Sequence, residues 1–153
     1  MSSPVSNQKP DPIRLKADTY KFHIELPTRF GDLDIRGHVN NVSIAQYCED
    51  ARIAFQMETV GREMYSTITP ERAVVAQMTL HFVSEGFFPD PIDAGVGVAR
   101  IGNTSYALVV GLFQNGKCIA VQESALVLIG PNGPLPLSAE IRGRMNKYVI
   151  IQA

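Results

Sequence analysis

Tryptophan is absent from the 153 residues, and cysteine is limited to Cys48 and Cys118. The two form no C-x-x-C pair, so they offer neither a disulfide framework nor a thiolate metal cage. Reduced thiols suit a cytoplasmic protein, and that location is expected. Charge is sparse and balanced: 14 Lys and Arg against 15 Asp and Glu, a formal net charge of −1. Without a basic stripe, no nucleic-acid partner is expected. Long apolar runs are also missing. A run such as 125–129 falls far short of the roughly 20 residues a bilayer demands, so no membrane partner is expected. The opening MSSPVSNQKPDP is polar and lacks the apolar core of a signal peptide. Residues 1–17 are expected to be a mobile arm. Glycine and proline (12 and 10) are too few for a collagen-like or low-complexity chain. What remains is 45% hydrophobic, enough for one domain to bury a core without a disulfide or metal staple.

Period-two alternation marks the first element. Tyr20, Phe22, Ile24 and Leu26 share one face of a strand over 19–29, with Lys21, His23 and Glu25 opposite. A helix is predicted over 42–60, where Ile44, Tyr47, Cys48, Ala51, Phe55 and Met57 approximate a 3.6-residue stripe and Gly61 supplies a stop. Its cap is Asn40, Asn41 or Ser43, and Ser43 with Gln46 fits a capping box. Four strands follow, over 74–83, 92–101, 104–114 and 117–129. In the first of these, Val74, Ala76, Met78, Leu80 and Phe82 form the apolar face, opposite Val75, Gln77, Thr79 and His81. Gly102–Asn103 and Asn115–Gly116 separate the last three, and such pairs make tight hairpins because both residues accept positive φ. A short helix capped by Ser138 is predicted over 137–147. One five-turn helix cannot hide its apolar stripe alone. A five-stranded antiparallel sheet curled around it buries both, an α+β design.

Residues 31–41, GDLDIRGHVNN, crowd two aspartates, a histidine, an arginine and two asparagines in front of that helix. A helix N-terminus offers unpaired N–H groups and partial positive charge, which together stabilise a developing oxyanion. A carboxylate a few residues earlier can then attack a polarised carbonyl or activate water. The bland alternative is that Asp, Asn and Gly populate any loop and any cap.

The string RFGDLDIRGHVNNVSIAQYCEDAR over 29–52 resembles the motif of the hot-dog-fold acyl-CoA thioesterases of the 4-hydroxybenzoyl-CoA thioesterase type. Matching positions are Arg29, Phe30, Asp32, Asp34, Gly37, His38, Val39, Asn40, Asn41, Tyr47, Glu49, Ala51 and Arg52; Ile44 stands where the pattern has an aromatic. Further on, Asp90, Gly102 and Ser105 occupy the family's positions before and within the next hairpin. The resemblance implies a hot-dog fold over 18–148 and hydrolysis of an acyl-CoA to free acid and CoA, without a cofactor. It also implies a homodimer or homotetramer with active sites shared between subunits. It assigns the catalytic carboxylate to Asp34 and the oxyanion donor to the backbone N–H of Asn41. Asp32 is then a structural partner, holding Arg29. His38 either assists the chemistry or shapes the loop and contacts substrate. Asn40, Gly102, Asn103 and Arg100 are the expected substrate-binding residues.

Other candidates are weaker. Glu49 is the reserve carboxylate, and it could pair with Arg52 three residues on. Arg62, Arg72, Arg100 and Lys117 could each hold CoA phosphates, and spacing does not choose among them. No metal is expected, because His23, His38 and His81 lack ligand spacing. Two rival functions remain. A hot-dog hydratase or dehydratase needs a D-x-N-P-x-H set, which Asp34-Ile35-Arg36-Gly37-His38 lacks. A non-catalytic acyl-CoA-binding module would not need Asp34.

Overall fold

The computed structural model describes residues 8–150. Its elements are β1 (Phe22–Leu26), α1 (Asn41–Thr59), β2 (Arg72–Phe82), β3 (Ile92–Ile101), β4 (Ser105–Gln114), β5 (Lys117–Gly130), β6 (Gly133–Pro134) and α2 (Ala139–Asn146). The strands form one antiparallel sheet in the order β1-β3-β4-β5-β2, and the two-residue β6 adds to β5. This is the hot-dog arrangement expected, with boundaries moved by up to three residues. No helix among the described residues is long and apolar enough to cross a membrane.

Asn40 is the cap of α1; its side chain accepts from the Val42 N–H at 2.9 Å. The helix therefore begins before Ser43, and the Ser43–Gln46 capping box does not form. Along α1, Ile44, Tyr47, Cys48, Ala51 and Phe55 are buried against Val96, Val98, Tyr106, Leu108, Val110, Leu112 and Leu126 of the sheet. Phe55 meets Phe22 edge to face, with ring centroids 5.4 Å apart. Apolar burial of this extent is the main favourable term in the fold.

In β2 the register against β5 slips between Val75 and Gln77. A bulge inserts one residue and so reverses which side chains face the helix. Beyond it Met78, Leu80 and Phe82 face inward, as the alternation predicts. Before it Ala73 and Val75 oppose Leu128 and Leu126 of the core, so the inward residue is Val75 and not Val74.

The arm expected at 1–17 lies partly outside the described residues. From Pro12 onward the chain makes two short 3-10 turns, Pro12–Leu15 and Ala17–Thr19. Ile13, Leu15 and Ala17 pack on a second apolar cluster on the outer face of the sheet, built from Tyr20, Val109, Phe113, Cys118, Val121 and Ile150. Arg14 pairs with Glu123 at 2.5 Å, and the Tyr20 hydroxyl donates to the Arg14 carbonyl at 2.7 Å. The Tyr20 ring needs a flat seat, which Gly95 and Gly111, directly paired across β3 and β4, provide. A Cβ on Gly111 would come within 2.8 Å of that ring.

Gly111→Ala is expected to cost about 1–3 kcal/mol, as overpacking does, and to speed amide exchange across residues 12–19. Denaturant unfolding with peptide-resolved hydrogen exchange checks both. Wild-type stability with unchanged exchange would show that the seat is not needed.

Candidate active site

Residues 29–41 are held to the protein by the first aspartate of the D-x-D pair. Asp32 is buried, accepts from Arg29 Nε at 3.2 Å and Nη2 at 3.0 Å, and accepts from the Tyr47 hydroxyl at 2.5 Å. Arg29 above all, with Tyr47 adding to it, holds the Asp32 carboxyl below the usual carboxylate range against the opposing effect of burial. Asp32 also accepts the Asn40 N–H on its backbone carbonyl at 2.8 Å, which ties the loop to the start of α1.

Asp34 sits in a different setting. Its carboxylate is exposed and accepts from the backbone N–H groups of Arg36 at 2.8 Å and His38 at 3.1 Å. The turn closes through Asp34 N–H to the His38 carbonyl and Gly37 N–H to the Asp34 carbonyl, with Gly37 at φ +79°. The His38 N–H chiefly, and that of Arg36, lower the Asp34 pKa. A carboxylate so placed is an anion at neutral pH, oriented but not consumed by a salt bridge.

Seven residues on, Asn41 is the first residue of α1, and its N–H meets no acceptor among the described residues. Beside it a cleft of about 490 Å³ runs between α1 and the 82–87 segment, lined by Val39, Asn41, Ile44, Phe82, Glu85 and Lys117. Asp34 does not line this cleft. It is linked to it through His38, whose Nδ1 lies 3.1 Å from Glu85 and whose ring packs edge to face on Phe87 at 5.2 Å. A larger space of about 870 Å³ shares Phe82 and Val83 but is walled by residues 8–12 and Leu15, and neither Asn41 nor Asp34 lines it.

Other expected site residues are dispersed. Asn40 is at the site, but its side-chain oxygen caps α1. Gly102, Asn103 and Arg100 lie at the opposite end of the β3–β4 hairpin from the Asp34 loop, which instead pairs with Gly86 and Phe87, and Phe87 in turn bonds Gln114 at the other end of the sheet. There Arg142 donates to the Gly102 and Asn103 carbonyls, and Arg100 reaches Ser105. Arg62 and Arg72 lie beyond the far end of α1, so Lys117 is the one of the four basic candidates that borders the cleft. Glu49 is exposed and does not pair with Arg52, which turns inward to Gln122 at 3.2 Å. The 82–87 wall was not foreseen, although its run of exposed aromatic and polar residues between two strands was the available signal. Among the described residues no group of three His, Cys, Asp or Glu side chains could hold a metal ion.

A curled antiparallel sheet around one long helix defines the hot-dog class of proteins. The sequence agrees: residues 28–144 match the thioesterase-like superfamily, and the chain belongs to that family. No curated protein matches the chain by sequence. Among solved structures it is similar to a thioesterase of Thermus thermophilus complexed with coenzyme A and zinc. That match has 27% identity and a TM-score of 0.74, and covers 86% of this chain and 96% of that one. A thioesterase predicted for Bacillus stearothermophilus matches at 25% identity and TM-score 0.74, over 86% of this chain and 98% of the other. In fold alone it is similar to the PA5185 protein of Pseudomonas aeruginosa, with 24% identity, a TM-score of 0.81 and coverage of 91% and 99%.

Tyr47→Phe removes one donor from the buried Asp32 carboxylate and is expected to cost about 1.5–3 kcal/mol at neutral pH. Because the folded pKa of Asp32 is depressed, its stabilisation is present above the unfolded value of about 4 and is lost as pH falls through the lower folded value. The acid-unfolding midpoint of Tyr47→Phe should therefore lie at higher pH than that of wild type, a comparison circular dichroism makes directly. Coincident acid transitions would remove Asp32 as the anchor of the loop.

Proposed function

We propose that this protein hydrolyses acyl-CoA thioesters to the free acid and CoA, with Asp34 as the catalytic carboxylate and the Asn41 N–H as the oxyanion donor. The observation that carries this reading is the anionic Asp34 turn seven residues before the Asn41 N–H, which meets no acceptor among the described residues and belongs to a residue that lines a cleft. The coenzyme A bound by the Thermus thioesterase supports a CoA thioester as substrate. The thioester carbonyl oxygen accepts from Asn41, where the N-terminal end of α1 favours the charge that develops. Asp34 attacks the carbonyl carbon directly, or takes a proton from the water that does. The carbon–sulfur bond then breaks, and CoA leaves as a thiolate that is protonated from water. Along the direct route, a second water hydrolyses the Asp34 anhydride. His38 serves the loop rather than the chemistry, because its ring is engaged by Glu85 and Phe87 and makes no hydrogen bond to the Asp34 carboxylate. That arrangement also favours hydrolysis over hydration, which would need His38 as a paired acid or base.

The site becomes complete in a homodimer. β2 is an edge strand, and its inward residues Val75, Met78 and Phe82 are 40%, 48% and 52% exposed. Unpaired edges with apolar faces favour association. Antiparallel pairing of two β2 edges would bring Gly102, Asn103 and Arg100 of one protomer toward the Asp34 loop of its partner. Lys117 is the best-placed cation for a CoA phosphate. The buried, reduced Cys48 and Cys118 support a cytoplasmic location.

Asp34→Asn should lower turnover by at least about 100-fold while substrate binding survives, in line with loss of a positioned base or nucleophile. His38→Ala should keep measurable thiol release. Retained activity in Asp34→Asn, with Glu49→Gln inactive, would move the catalytic role to α1. Light scattering should give at least twice the 16.8 kDa protomer mass. A monomer that is active at the same concentration would rule out the shared site.

A further inference from the structure

One charged group in the core has no counter-charge. Arg52 on α1 is 5% exposed, and its only hydrogen bond among the described residues runs from Nη1 to the Gln122 amide oxygen at 3.2 Å. Its Nε is buried without a partner, and no carboxylate among the described residues lies within ion-pair distance. Its charge acts on Cys48, Tyr65 and Tyr106, none of them a carboxylate. A guanidinium keeps its charge wherever it sits, and a buried unpaired charge costs several kcal/mol. Among the described residues, Arg52 Nε is the one buried side-chain polar atom without a hydrogen-bond partner.

The position of Arg52 relates it to the site. Asn41 and Arg52 are eleven residues apart, which is three turns, about 16 Å along α1 and within about 20° of the same face. Long helical side chains tend to lean toward the helix N-terminus, which is the end of α1 that borders the cleft. On the sheet side, Phe82 lines the cleft, and Leu80, two residues before it, opposes Gln122, the partner of Arg52. Two residues of strand span about 7 Å. The neighbouring inward residue, Met78, accepts from Gln122 and is half exposed, so β2 does not seal this side. An acyl group whose thioester sits at Asn41, laid along α1 beside Phe82 and Leu80, ends at Arg52.

We propose that Arg52, oriented by Gln122, binds a carboxylate at the far end of the acyl group, so that the substrates are CoA monothioesters of dicarboxylic acids. This rests on the thioesterase reading and narrows its substrate class. A planar guanidinium matches a carboxylate in a two-point contact, and the unpaired Nε supplies one of the two donors.

The test compares thiol release by the wild-type protein from succinyl-, glutaryl-, adipyl- and suberyl-CoA with release from the neutral acyl-CoAs of matched length. At least one carboxylate-ended substrate should exceed its neutral match in kcat/KM by about 30-fold or more, as expected when a buried cation gains its partner. In Arg52→Gln that preference should vanish, with the rate on the neutral acyl-CoA kept or raised. The wild-type comparison stands even if Arg52→Gln folds poorly. Equal or better hydrolysis of the neutral series by wild type overturns the assignment of Arg52 and leaves the thioesterase reading intact. A wild-type preference for neutral chains, with dimer dissociation altered in Arg52→Met, would assign the missing counter-charge to a second copy and overturn it as well. Failure to release thiol from any acyl-CoA would overturn the thioesterase reading first.

Discussion

A lone amphipathic helix of five turns needs apolar cover along its length, and the sheet must curl to supply it. Most other features follow from that requirement. Curling presses β3, β4 and β5 against α1, where Phe55, Cys48 and Ala51 are wholly buried. It leaves β2 partly beyond the helix, with its inner face exposed. It also fixes where the helix begins, since the chain must leave β1, cross one end of the sheet and enter α1 pointing along the core. The loop that makes the crossing carries Asp32 and Asp34. Asp32 is spent on holding the crossing in place, which frees Asp34 from structural duty. Two residues of one short motif thus divide between anchoring and exposure, and the division comes from their environments: burial with Arg29 and Tyr47 for one, backbone N–H donors at the surface for the other.

Much of this was legible in the residues. The Gly102–Asn103 and Asn115–Gly116 pairs announced the β3–β4–β5 meander, and β3 runs over the predicted 92–101. The stripe of α1 announced a single buried helix. The D-x-D motif placed a carboxylate before the helix N-terminus, where the structure has it. Features that depend on long-range partners were not legible. The bulge in β2 is one added residue, and alternation read across it assigns Val74 and Val75 to the wrong faces. The fit of residues 12–19 to the outer face depends on Gly95 and Gly111 lying opposite each other, a fact of register. Arg52 and Glu49, spaced to pair on the helix surface, part company because Arg52 lies on the buried side. Sequence distance likewise hid that Gly102 and Asn103 lie at the far end of the sheet from Asp34.

The two ends of the hairpin differ in kind. At the Asp34 end, contacts run from the loop to side chains, such as Phe87 N–H to Gln114. At the Gly102 end, the C-terminal segment closes over backbone carbonyls, with Leu137 N–H donating to the Asn103 carbonyl at 2.8 Å and Arg142 to that of Gly102 at 2.6 Å. The second end is therefore stiffened by the chain itself, and at the first the Asn41 N–H meets no acceptor among the described residues. Rigid support at one end and unused hydrogen-bonding capacity at the other is the combination a preorganised site requires.

The N-terminal turns over the outer face limit how the molecule can grow. A curled sheet offers its back and its two edge strands, here β1 and β2, as surfaces through which copies could add. Here Ile13, Leu15, Ala17 and Tyr20 already occupy the back, locked by Arg14 on Glu123. Stacking back to back would first have to peel away that covering and its ion pair. Two-fold pairing of β2 edges would close after one step, because it would consume both β2 strands at once. Packing its own leading segment against the sheet thus leaves the edges, and not the back, as the surface where a second copy could add without displacing covered apolar area.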